Sequence, residues 1–316
     1  MPRHRRQKSV LYDTLVATSS DAERRRTASA VIRSVQSPDE AVSWSAAKTL
    51  RGLCDRILDD VPGSREKASD AVQPSGEFPP RFAAELIEQW PRVRAYLKAI
   101  GRAPADAETG VEVGPGPLAL YAAATAFLLP GIRRVDAWEL NAVSAASARR
   151  AVEVMGLAGR VFIHHGDALQ AELPAADVGV TETFAINLIE EPGGRIVQAM
   201  AQAGIRHLIP AWALTIAADD FSYPTVVAGR VDLANEPVVH GSFPSTDAGR
   251  RHVWARVELF DSADGPVLTG KDPGAITLPL TIGQVDVASA GDIINYRYPA
   301  GKLPPEPYEV WSVPAG

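Results

Sequence analysis

The sequence predicts an α/β protein: a central parallel sheet with helices on both faces, an N-terminal helical cap and a C-terminal antiparallel β domain. Three observations carry this. Between residues 110 and 210, short β-type apolar runs alternate with helical patterns across short connections, the arrangement of a parallel sheet covered on both sides. Before that region apolar residues recur at helical spacing. After it, apolar and polar residues alternate between Gly, Pro and Asp turns. The expected division is residues 1–105 for the cap, 106–217 for the sheet domain and 218–316 for the β domain.

In the cap, Ser20-Asp21 can start a helix reaching Ser34, and Ser37-Pro38-Asp39-Glu40 starts a second. A side-chain oxygen takes a free amide there, proline suits the first turn, and acids favour the positive end of the helix dipole. From Val42 through Ala46, Leu50, Leu53, Ile57 and Leu58 the spacing stays helical to Asp60. Residues 62–80, rich in Gly, Pro, Ser and charge, read as a loop that can lie over a site. Residues 81–100 read as a further helix interrupted at Pro91. Strands are predicted at 110–113, 134–138, 160–164, 178–181 and 207–210, with helices at 118–129, 142–155 and 193–203 between them. In the last third, strands are predicted at 226–233, 252–260, 275–279, 291–298 and 309–313. Turns such as Asp264-Gly265-Pro266 and Asp272-Pro273-Gly274 divide them.

Composition narrows the function. The 316 residues carry a formal charge of −6, with a pI near 5.6, which argues against a nucleic-acid partner because such binders present a basic surface. Only Arg3, Arg5, Arg6 and Lys8 form a local basic run, read as a solvated end. The single cysteine, Cys54, excludes an internal disulfide and a cysteine-based zinc site, and it reads as a small buried hydrophobe. His164-His165 lack a third ligand at metal spacing, so no metal is expected. No apolar run reaches the roughly 18 residues of a membrane helix, and the positive N-terminal residues lead into no apolar signal core. The expectation is a cytoplasmic protein with a small-molecule substrate and no membrane partner; a homodimer is left open.

The chemistry gathers at the strand ends, first in residues 111–120, VEVGPGPLAL. Gly114 and Gly116 lack a Cβ, so the chain can turn tightly and a ligand can lie against its backbone. The helix expected from Leu118 would aim free amides at the same place. Glu112 precedes the turn, Glu139 ends the second strand in DAWELN, and Asp167 follows the third in HHGDAL. Acids at three successive strand ends suit a nucleoside. One carboxylate accepts two hydrogen bonds from a ribose diol, another accepts one from an adenine amino group, and the first either holds the glycine loop or meets an ammonium. Asn141 either supports the ribose or caps the next helix. The loop holds no Lys or Arg, and no GxxxxGK[ST] occurs, which speaks against a triphosphate. The expected ligand is a nucleoside with a positive or zwitterionic arm.

After the fourth strand, VTETFAINLIEEP places Glu182 and Glu191 nine positions apart around an otherwise apolar loop. Carboxylates there can orient a cationic amine or take its proton, and burial would raise their pKa. Glu190-Glu191 read equally as acids at a helix N-terminus before Pro192. Asn187 offers an amide contact and Phe184 a cation–π face toward a sulfonium; plain packing is the even alternative for both.

Residues 111–167 resemble a class I S-adenosylmethionine-dependent methyltransferase, VEVGPG being like its first motif, DAWELN like its ribose-binding acid and HHGDAL like its adenine-binding acid. The resemblance implies a Rossmann-like class I methyltransferase core and S-adenosyl-L-methionine as cofactor. It places Gly114 and Gly116 against the methionyl part, Glu139 on the ribose hydroxyls and Asp167 on the adenine edge. The 182–191 spacing resembles the double-glutamate loop of protein arginine methyltransferases, and residues 207–217 resemble the segment by which those enzymes enter a C-terminal β domain. Thr183, Phe184 and Ile186 stand where aromatic and methionine residues are usual in that loop, and no THW segment occurs. GPGPLAL, with Leu118 in place of a third glycine, resembles the GxGPL turn of nicotianamine synthases, which transfer the aminopropyl group of the same cofactor.

The function expected from all this is a methyltransferase of secondary metabolism acting on a small amine, amino acid or natural product. The alternative is aminopropyl transfer, or cyclisation to azetidine-2-carboxylate, with release of methylthioadenosine. The expected catalytic residues are Glu182, Glu191 and Asn187. The expected cofactor-binding residues are Glu112, Gly114, Gly116, Glu139, Asn141, Asp167 and Phe184.

Overall fold

The computed structural model describes residues 9–64, 78–184, 192–218, 226–232, 234–235, 238–245, 247–260, 267–268, 280–299 and 309–315. The chain divides into two compact units: Met1–Glu182 with Ala203–Ile209, and Thr183–Gln202 with Pro210–Gly316.

The first unit opens with α1 (Val10–Ala17), α2 (Asp21–Val35) and α3 (Glu40–Asp60). Asp39 caps α3, its carboxylate accepting from the amides of Ala41 and Val42, so Pro38 stands ahead of the cap and not in the first turn. One face of α3 buries Ala46, Leu50, Leu53, Ile57 and Leu58, residues whose spacing predicted the helix, together with Cys54; Val42, in the same spacing, is exposed. The predicted loop at 62–80 falls largely outside the described residues. Beyond it come α4 (Pro80–Glu85), a 3-10 turn (Leu86–Glu88) and α5 (Trp90–Ile100). The break expected at Pro91 falls at Gln89, whose φ of −74° and ψ of 62° leave the helical region. Pro91 then lies in the first turn of α5, where its missing N–H has no helical partner to lose.

The sheet of this unit is parallel: β1 (Thr109–Val113), β2 (Arg134–Glu139), β3 (Val161–His165), β4 (Val178–Thr181) and β5 (His207–Ile209) lie in the order β3-β2-β1-β4-β5. The strand order reverses at β1, which makes the carboxyl ends of β1 and β4 the place where ligands bind in such sheets. Between strands run α6 (Leu120–Leu128) and α7 (Ala142–Val154). Helix α6 starts two residues later than Leu118, because Ala119 takes a left-handed conformation (φ 49°, ψ 46°). At the opposite edge Asp177 accepts from the amides of Glu108 and Thr109 and pairs with Arg206, tying together the entries to β1, β4 and β5.

The second unit holds α8 (Gly193–Gln202) and two antiparallel sheets. In one, β6 (Trp212–Ala218), β7 (Val226–Asp232), β9 (Gly249–Phe260) and β10 (Val267–Leu268) run in the order β10-β9-β6-β7, with β11 (Leu280–Val287) also paired to β9. In the other, β12 (Ile293–Pro299) lies between β13 (Glu309–Val313) and β8 (Val238–Pro244). Tyr296 of β12 is buried over Gly241 of β8, where a Cβ would come within 2.3 Å of the tyrosine hydroxyl. The strand predicted at 275–279 lies outside the described residues. Strands β8 and β11 were not predicted, and residues 212–218, read only as a transition, form β6 between β7 and β9.

Candidate active site

Glu112 sits one residue from the end of β1, 2% exposed, and its Oε2 accepts the Ala122 amide at 2.6 Å. The first turn of α6 therefore spends one of its amides inside the protein, where the sequence suggested that amides would face the ligand. Burial pushes the Glu112 carboxyl up to about 8; the Ala122 amide opposes the rise, and the nearby Glu139 and Glu182 add to it.

Gly114 and Gly116 have φ of 73° and 62°, a region that side chains with a Cβ rarely enter. The Gly114 amide donates to the Trp138 carbonyl at 2.9 Å, fastening the turn to β2. The Gly116 amide donates to Glu139 Oε2 at 2.9 Å, and a Cβ on Gly116 would meet nothing within 4 Å. The turn thus presents bare backbone to open space, held from behind by the acid that ends β2. Glu139 Oε1 accepts from the Asn141 amide at 2.9 Å, and the residue is 8% exposed, so the carboxylate is fixed at the strand end.

Asn141 takes the capping role. Its Oδ1 accepts from the amides of Val143 and Ser144 at 3.0 and 2.9 Å, at the start of α7. Asp167 is exposed on the loop after β3, its Oδ1 accepting from the Leu169 amide at 2.9 Å. The preceding Gly166 donates its amide to the Glu139 carbonyl at 3.0 Å, which joins the second and third acidic strand ends through one backbone bond.

Glu182 follows β4 directly, and its Oε1 lies 2.7 Å from Nη1 of Arg92 in α5. Arg92 is 6% exposed, so this is a buried ion pair. Burial raises the Glu182 pKa and the guanidinium opposes it. One turn further along α5, the Tyr96 hydroxyl donates to the Thr181 carbonyl at 3.2 Å, and its ring stacks on Tyr121 of α6 at 4.8 Å. Thr181 Oγ1 donates to the Val113 carbonyl at 3.0 Å. Helix α5 is thereby fastened to the carboxyl ends of the two central strands. The sequence reading missed Arg92 and Tyr96. The available signal was an arginine and a tyrosine four residues apart in a helix otherwise buried through Val93, Leu97 and Ile100.

The first unit therefore gathers Glu112, Gly114, Gly116, Glu139 and Glu182 with Arg92, and places Asn141 and Asp167 on the loops beside them. In the second unit Phe184 packs against the start of α8: a Cβ on Gly193 would come within 2.5 Å of both its ring and the Thr183 carbonyl. Asn187 and Glu191 lie outside the described residues.

No protein-family profile matches this sequence, and no curated protein matches it in sequence. Solved structures do match. The Trypanosoma brucei PRMT1 enzyme–prozyme heterotetrameric complex with AdoHcy is similar over 69% of this chain and 87% of that chain, at 16% identity and a TM-score of 0.51. Arabidopsis thaliana protein arginine methyltransferase 10 is similar over 70% of this chain and 93% of that chain, at 14% identity and a TM-score of 0.48. The first likeness establishes the fold as a Rossmann-like class I methyltransferase core continued by an antiparallel β domain, the architecture of protein arginine methyltransferases.

Proposed function

We propose that this chain is an S-adenosylmethionine-dependent transferase that moves the sulfonium methyl to a nitrogen of a small amine, amino acid or natural product. The observation that carries the reading is the bond between the Gly116 amide and Glu139. It sets a bare left-handed turn and a buried carboxylate against open space at the carboxyl edge of the switch-point strands. These residues fit the cofactor: Glu139 accepts from ribose hydroxyls, Asp167 meets the adenine edge, and the glycine backbone admits the methionyl arm. The Arg92 guanidinium supplies charge-assisted donors for the carboxylate of that arm. The AdoHcy bound to the trypanosome neighbour supports the same ligand.

Bound there, the cofactor supplies an electrophilic methyl on a positive sulfur. The protein's work is alignment and the exclusion of water. Glu182, whose pKa burial raises and the Arg92 guanidinium lowers, holds the acceptor nitrogen and takes its proton, with Arg92 keeping its carboxylate in place.

A second reading, aminopropyl transfer or cyclisation, is favoured by one observation: Leu118, fully buried at the position of a third glycine in GPGPL. Product analysis decides between them. Incubation of the purified chain with cofactor and an amine panel is expected to yield S-adenosylhomocysteine only when an acceptor is present. Methylthioadenosine formed from cofactor alone would establish the second reading, and neither product despite bound cofactor would overturn the transferase.

A further inference from the structure

The sheet register sets two residues side by side at the carboxyl edge. Val113 of β1 pairs with Thr181 of β4, so the next residue on each strand leaves the sheet beside the other: Gly114, at the head of the glycine turn, and Glu182. Arg92 reaches this point from α5, its Nη1 2.7 Å from Glu182 Oε1 and its Nη2 3.4 Å from the Leu86 carbonyl. One turn further on, the bond from the Tyr96 hydroxyl to the Thr181 carbonyl anchors the helix. The guanidinium is therefore held at the strand end, out of water. The charged groups that act on Glu112, Tyr121 and Glu182 are Glu112, Glu139, Glu182 and Arg92. In that set Arg92 is the only cation.

We propose that the Arg92–Glu182 pair is a self-inhibiting contact that the cofactor relieves: the carboxylate of the incoming amino-acid arm competes with Glu182 for the same guanidinium. This rests on the cofactor reading above and goes beyond it by making the two carboxylates rivals. While Arg92 pairs with Glu182 alone, the acid is held ionised with one oxygen occupied, which makes it a poor acceptor for a proton. A second carboxylate divides the guanidinium between them, since its N–H donors fan out in one plane and can meet two anions. Glu182 then stays beside Arg92 but is less neutralised, and its burial favours proton uptake. The base is thus armed by the ligand it serves. By reciprocity, the same rivalry weakens the cofactor's hold on the free protein.

The test is equilibrium binding of S-adenosylhomocysteine, and of methylthioadenosine, which lacks the amino-acid carboxylate, to the full native chain and to Glu182→Gln. S-adenosylhomocysteine is neutral at sulfur, so losing the Glu182 charge removes no attraction to a sulfonium. With the rival gone, Glu182→Gln is expected to bind S-adenosylhomocysteine about 10-fold tighter than the native chain, while methylthioadenosine shows no such gain. Equal or weaker binding of S-adenosylhomocysteine by the variant overturns the inference and leaves the cofactor reading intact. The same gain with methylthioadenosine also overturns it, by assigning the effect to the shape of the pocket. Should Glu182→Gln fail to fold, Glu182→Asp, which shortens the side chain and loosens the pair, decides by the same comparison, a smaller gain confined to S-adenosylhomocysteine being expected. No binding of S-adenosylhomocysteine by the native chain would overturn the cofactor reading itself and the inference with it.

Discussion

Glu139 serves two roles through one carboxylate, since the oxygens proposed to meet the ribose also hold the glycine turn. Charge-assisted bonds of this kind contribute about 1.5–3 kcal/mol each, so Glu139→Ala is expected to weaken S-adenosylhomocysteine binding at least ~10-fold; unchanged affinity would remove Glu139 from the site. Asn141 separates a cap from a ligand contact. Asn141→Ala should cost about 1 kcal/mol in chemical denaturation while leaving that affinity within about twofold. A tenfold loss would put its side chain on the ribose instead. The Arg92–Glu182 pair behaves differently, because either partner left alone is a buried charge. Arg92→Met is expected to cost about 3–5 kcal/mol, and the double variant with Glu182→Gln should recover much of it. A double variant no more stable than Arg92→Met would deny the pair its coupling.

At the scale of elements, one close contact sits where an element begins. Gly193 opens α8 against the Phe184 ring and the Thr183 carbonyl, so the segment just after Glu182 is shaped by a residue ten positions further on. Gly193→Ala has backbone on one side and an aromatic ring on the other, and overpacking of this kind costs about 1–3 kcal/mol. The measurable outcome is a lowered midpoint of unfolding together with reduced turnover; a variant equal to the native chain in both would show the segment yields freely. Much of this level was legible beforehand. Strand ends of the parallel sheet fell within a residue of their predicted places, because a strand buried on both faces must be a short apolar run closed by polar or glycine punctuation. The β domain was less legible, since pairing in β11 shifts register between Thr281 and Gly283, and such irregularity erases the period-two signal.

For the whole molecule, two carboxylates set opposite trends with pH. Asp177 is held well below the usual carboxylate range, chiefly by the Glu108 amide, with Arg206 and Thr109 adding to it. Its contribution to stability is present above the unfolded value of ~3.9 and is lost as the pH falls toward the folded one. Glu112 runs the other way. The unfolded chain loses this proton near ~4.3 and the folded one at about 8, so the folded state holds the extra proton between them. Stability then falls as the pH rises through that window. Asp177→Ala should flatten the acid limb of the stability profile and Glu112→Gln the limb above it, followed by urea midpoints across the range. A native profile with no decline above about pH 5 would show that Glu112 is already ionised in the folded chain.

The sequence by itself determined the parallel core, its glycine turn and the acids at three strand ends, because each of these is written in adjacent residues: an apolar run, a missing Cβ, a carboxylate at the next position. Only the tertiary structure decided what those groups do. Arg92 meets Glu182 across 90 positions, Glu112 faces back to the Ala122 amide, and Asn141 turns to its helix. Charge state and partner depend on which segments the fold brings together and how much water it removes, and no spacing along the chain encodes either.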